Sequence, residues 1–362
     1  MRKSLRFALL AVASVIALGL AGTALALYKP FLTIYEYSYK PAATPSVEID
    51  YDQAKTEPAP AKVTIIVPAG YGMDLTQAQN TNIGFVIAGV KTGDNSIFAG
   101  SVITLTGPIT VANPADYAAP AAQCTGNPVH AAVWKLNLTV ASTTLVVPAY
   151  VDKPGPAGTA GTLVFCLPNP YIPESSGGAQ FGAYPQSVSM TFRASFHVFT
   201  NPTTPTFYTW TSVVTPWNTT AGPPNAAATV EARANVPVPY SNTLKRTATK
   251  TGLWIFAGKL TGGGGPFVKE RLDVYAGAKT TKMKFNGRTG RTSKKGVYSF
   301  SRKAGKTARY FQTVFGPFDV TDSATTCAPP SPAPAGCATA TLSEVDSNIV
   351  KAPAVKPKKK KR

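Results

Sequence analysis

Along most of the chain, apolar and polar residues alternate with a period of two, in short runs bounded by Gly, Pro, Asn and Ser. Phe31-Leu-Thr-Ile-Tyr-Glu-Tyr37, Lys62-Val-Thr-Ile-Ile-Val67, Ile83-Gly-Phe-Val-Ile-Ala88 and Ser101-Val-Ile-Thr-Leu-Thr106 are rich in β-branched residues. Such side chains fit a pleated, half-buried surface, so these runs predict strands. Further strands are predicted over 133–140, 144–147, 162–166, 188–198 and 208–214. In the fourth of these, Met190, Phe192, Ala194, Phe196 and Val198 share one face. Ser189, Thr191, Arg193, Ser195 and His197 share the other, which directs His197 to solvent or a polar rim. No segment sustains helical periodicity. The expectation is an all-β chain: an antiparallel β-sandwich over residues 27–240, then a smaller sandwich over 241–321. In the smaller unit the strands are 253–259, 271–275, 282–285, 297–302 and 308–315, and Gly262–Gly265, Asn286-Gly287 and Lys295-Gly296 serve as turns.

Arg2, Lys3 and Arg6 precede an apolar run from Phe7 to Leu27 that closes on Ala24-Leu-Ala26. A basic start, an apolar stretch and small residues at a cleavage position form a secretory signal, with cleavage expected after Ala26. An uncleaved anchor is the competing reading, since the run is about 20 residues, near the length of a membrane span. Nothing later is apolar for long enough to cross a membrane, so the mature chain is expected to lack a transmembrane helix. Export gives meaning to the four cysteines, because an even count in an oxidising compartment implies bridges. Sequential pairing, Cys124 with Cys166 and Cys327 with Cys337, is the simplest assignment; chain entropy values these loops at about 4 and about 3 kcal/mol.

Charge divides the chain. Lys and Arg number 36 against 17 Asp and Glu, a net of +19. Residues 27–240 carry nine basic and eleven acidic side chains, net −2, whereas 241–321 carry seventeen and three, net +14. The step coincides with the Pro- and Asn-rich stretch 235–242, which marks a domain boundary. Beyond Thr321, Cys327 to Cys337 is too Pro-rich for regular structure, and the rest of 322–362 reads as a polar, disordered tail ending in Lys358–Arg362. Clustered cations on a folded unit attract polyanions. The candidates are Lys282, Lys284, Arg288, Arg291, Lys294, Lys295, Arg302 and Arg309. Outside a cell, the expected partner is an anionic wall polymer or polysaccharide, with no specific nucleic acid.

Candidate chemistry is sparse. With only His130 and His197, few metal ligands or neutral-pH bases exist, and no metal or cofactor is expected. Gly262–Gly265 lacks the Lys-Ser/Thr of a phosphate loop, and no serine sits in a G-x-S-x-G turn. Glu48, Asp50 and Asp52 share a strand face, where like charges raise a pKa or hold Ca²⁺, though a solvated face is the plainer reading. Tyr208 and Trp210 also share a face, either as core or as a sugar-stacking platform with Trp217. The chain therefore reads as a non-enzymatic exported protein. Two alternatives are a wall-glycan hydrolase using Asp50, Asp52 or Glu231, and a structural surface-layer subunit.

The segments Trp254–Lys259, Arg271–Tyr275, Ser293-Lys-Lys-Gly-Val-Tyr-Ser-Phe-Ser301 and Thr307-Ala-Arg-Tyr310 resemble the immunoglobulin-like repeat modules of bacterial secreted surface proteins. The resemblance covers about a fifth of the chain. It implies a small sandwich with no catalytic residues; the heavy cationic loading departs from the mixed charge of such modules. Phe199–Pro202 to Trp210, Thr215-Pro-Trp217 and Ala228-Thr-Val-Glu-Ala232 resemble uncharacterised exported proteins of high-GC bacteria, a likeness that implies no activity.

Overall fold

The computed structural model describes residues 28–93, 100–140, 143–219, 221–250, 252–316, 318–321, 339–342 and 344–355. The predicted signal, Cys327 and Cys337, and the tail Lys358–Arg362 lie outside the described residues.

The chain is all-β, as its alternation requires. It opens with β1 (Phe31–Glu36), β2 (Val47–Asp52), β3 (Pro60–Val67), β4 (Gly72–Met73), β5 (Asn82–Lys91) and β6 (Val102–Ala112). A short helix, α1 (Ala118–Thr125), precedes β7 (Ala132–Val140), β8 (Thr143–Asp152), β9 (Gly161–Cys166) and β10 (Tyr184–Phe192). Then come β11 (Phe199–Thr200), β12 (Thr206–Pro216) and β13 (Val230–Val238). The second unit follows with β14 (Tyr240–Lys250), β15 (Leu253–Gly262), β16 (Gly265–Pro266), β17 (Asp273–Gly277), β18 (Lys284–Arg288), β19 (Val297–Lys303) and β20 (Arg309–Phe315). The last strands are β21 (Phe318–Thr321), β22 (Thr339–Leu342), β23 (Val345–Asp346) and β24 (Val350–Ala352).

Apart from the short pair β4–β11, the strands of the first unit form one continuous 13-stranded sheet, in the order β1-β2-β10-β5-β6-β7-β8-β9-β3-β12-β13-β22-β21. It rolls until β1 packs against β13 and β22 at the far side. Strand twist accumulates over so many strands and favours such curling. A single apolar core runs through the roll, from Leu32 and Ile34 on β1 through Trp134 on β7 to Trp210 on β12 and Val236 on β13. Every strand pair in this sheet is antiparallel except β13 with β22.

The helix α1 was not expected from periodicity. Its sequence, AAPAAQCT, is Ala-rich, a strong helix former without an amphipathic stripe, so propensity makes the helix where pattern is silent. Alternation also fails after Phe192: a tight 3-10 turn over Ala194–Phe196 ends the strand, and His197 adopts left-handed backbone at φ 54°. His197 is exposed nonetheless.

In the second unit, the sheet β14-β15-β16 with β19 faces the sheet β18-β17-β20 with β23 and β24 across one core. Trp254, Phe256, Leu260 and Phe300 from one sheet meet Val274, Phe311 and Phe315 from the other. Phe256 and Phe300 stack at 4.8 Å. At Gly258 any Cβ would fall 2.3 Å from the Tyr298 ring, so glycine leaves room for that ring to reach Asn242 Oδ1 at 2.9 Å.

Residues 339–355 are not an unstructured tail. β22 extends the large sheet, and β23 and β24 pair with β20. Val345 and Ala352 are fully buried, which is how two short segments in a polar sequence hold their place. The two units also touch directly: Tyr39 packs on Tyr240 at 3.8 Å, and Phe207 on Phe267 at 5.6 Å.

Candidate functional site

Three features of the described residues bear on function: a cationic edge, a set of clustered carboxylates, and the interior of the rolled sheet.

Lys282 and Lys284 lead into and along β18, the edge strand of one sheet of the second unit, with Arg288 at its end. Arg291, Lys294 and Lys295 lie on the connection to β19, the edge strand of the facing sheet, which carries Arg302. The two edges meet where Arg302 donates through Nε to Asn286 Oδ1 at 2.7 Å. Arg309 stands apart, at the start of β20 inside the other sheet. All eight are exposed except the half-buried Arg302. Arg288 bonds Asp273 at 2.7 Å, and Arg302 lies over the Phe300 ring at 5.1 Å, so these two are engaged within the unit. Among the described residues none of the other six has an acidic partner within salt-bridge distance.

The strand face of Glu48, Asp50 and Asp52 gains partners from the far end of the chain. Glu344 and Asp346, from β23 and the residue before it, line one pocket with Glu48, Asp50, Tyr35 and Tyr37. Glu48 accepts from Ser189 at 2.7 Å and from Tyr37 at 2.9 Å. Burial, reinforced by neighbouring carboxylates, pushes Asp50 up to about 6 and Glu344 up to about 7. Asp52 is exposed, and Glu231 on β13 is ion-paired with Arg233 at 2.9 Å. Among the described residues no group of three His, Cys, Asp or Glu is arranged to hold a metal.

His130 is buried. Its Nδ1 lies 3.0 Å from both Asp152 oxygens, and its Nε2 lies 3.0 Å from Thr125 Oγ1 and from the Asn127 carbonyl. Thr125 Oγ1 also donates to the Ala121 carbonyl at 2.9 Å and accepts from the Asn127 amide at 3.0 Å. Every group in this row closes the end of α1 and fastens it to β8. Close by, α1 is covalently joined to the end of β9 through the Cys124–Cys166 disulfide, with Cα atoms 5.7 Å apart. Trp210, one of the aromatic row, is completely buried against Phe199 and Tyr71, so it is core and no platform.

The roll is not completely filled. Between β2, β3, β5–β10 and the segment 179–185 lies a cavity of about 390 Å³, lined almost wholly by apolar side chains. If sealed and empty, a void of that size would cost on the order of 9 kcal/mol at ~24 cal/mol per Å³, comparable with the whole net stability of a domain. It opens at a rim where Phe181, Leu145 and Val146 are 54%, 40% and 42% exposed. Alternation alone reads these linings as ordinary core; that the opposed walls stay apart is a property of the roll.

No protein-family model matches the sequence, and no curated protein is similar to it. Among solved structures, a transglutaminase of red sea bream aligns over 91% of this chain at 7% identity and a TM-score of 0.17, values that carry no argument about fold or chemistry. The chain spans about a third of that protein's length, with 32% covered.

Proposed function

We propose that this is an exported, non-enzymatic protein of the cell envelope, which adheres to an anionic wall polymer or polysaccharide through the cationic edge of an immunoglobulin-like second unit. The observation that carries the reading is the run of exposed cations from Lys282 to Lys295, which among the described residues meets acid only at Arg288. Charges held on one side of a rigid unit sum into a local positive potential that attracts and steers polyanions. The Cys124–Cys166 bridge suits an oxidising compartment.

Chromatography of the full chain on immobilised dextran sulfate tests it. Retention is expected to fall steadily as salt rises, because exposed charges are screened within about 10 Å at 0.1 M. The triple variant Lys282→Glu, Lys284→Glu, Lys294→Glu is expected to elute at markedly lower salt with its melting temperature unchanged. Retention indifferent to salt, or to this charge reversal, would overturn the proposal.

A further inference from the structure

We propose that the interior of the rolled sheet binds the hydrocarbon chain of a single-chain lipid, whose head group stays at the exposed rim. The cavity of about 390 Å³ falls within the range of small-molecule sites, roughly 300–1,000 Å³. Val63 and Ile65 of β3, Leu105 of β6, Leu136 and Leu138 of β7 and Phe165 of β9 give it walls of carbon. A stable internal water needs two to four polar partners. Of the polar side chains in the lining, Tyr51 donates to Gln53 Oε1 at 2.6 Å and Thr92 to the Ser101 carbonyl at 3.3 Å, while Gln180 is exposed. Neither close packing nor water fills such a space well, whereas a hydrocarbon chain does.

The rim supplies the rest. Phe181 holds left-handed backbone at φ 55°, a conformation rare for aromatic residues, and its ring is exposed beside the opening. With Leu145 and Val146 it makes an apolar lip. A chain inserted past this lip leaves its head group in solvent. This site lies on the first unit and is independent of the polyanion reading.

The test titrates the full chain, stripped of lipid on a hydrophobic resin, with the fluorescent fatty acid cis-parinaric acid. Saturation at one equivalent is expected, with displacement by palmitate, hexadecyl phosphate and hexadecanol alike, because the chain and not the head is enclosed. Ala183→Trp, which fills the cavity, is expected to weaken binding at least ten-fold; Val147→Phe on β8 is the second blocking variant should the first fail to fold. Ile87→Ser on the outer face of β5 is expected to change nothing. Absence of saturable binding, or failure of all three compounds to displace the probe, would overturn the proposal.

Discussion

Glu36 shows how a single side chain can work against its surroundings. The alternation that turns Leu32 and Ile34 inward on β1 turns Glu36 inward as well, and it is 1% exposed. It accepts a hydrogen bond from the Tyr71 hydroxyl, while Oε2 has no partner among the described residues. Burial pushes its carboxyl up to about 8, against the opposing pull of Tyr71 and Asn201. A carboxyl with a raised folded-state pKa binds its proton more tightly folded than unfolded, so stability falls as pH climbs from about 4.5 toward 8. Asp50 and Glu344 act in the same sense up to about 6 and 7. Calorimetry is expected to give a higher melting temperature at pH 5 than at pH 9, with a shallower decline in Glu36→Gln. A melting temperature that rises across that interval would refute the assignment. The sequence shows an acid in a strand; that its neighbours close over it is decided by the roll.

At the scale of elements, pairing depends on more than pattern. Met190 and Phe192 are buried where alternation puts them, yet β10 ends at Phe192 and the next residues turn. Alternation reports which face a residue would take, and local turn geometry decides where the strand stops. The helix α1 is held by a small side cluster of Ala112, Ala121, Val133, Tyr150 and Val164, by the His130–Asp152 contact and by the disulfide. Cys124 and Cys166 are 42 residues apart, so removing the bridge is expected to cost about 4 kcal/mol from chain entropy. Urea unfolding of the Cys124→Ser, Cys166→Ser double variant measures this. A loss below about 1 kcal/mol would mean that the noncovalent contacts hold α1 unaided.

For the whole molecule, the last strands stitch the two units. β22 joins the large sheet beside β13, after which β23 and β24 cross to β20, with Val345 and Ala352 buried in the second core. Truncation after Ser343 uncovers that core and the edge of β20. The second unit is expected to melt earlier and to be cut by protease within 241–316, where the full chain resists; equal resistance would show that the unit is complete without β23 and β24. Sequence alone determined the β class, the break in charge near Tyr240 and the buried faces of the individual strands, because period-two alternation and side-chain charge are local properties. The tertiary structure alone decided that the sheet is continuous and rolled around an open apolar interior, and that Glu48 and Glu344, at opposite ends of the chain, share a pocket. It also decided that a segment polar enough to pass for a tail is structural. Those features come from twist, register and contacts between residues distant along the chain, which no local pattern encodes.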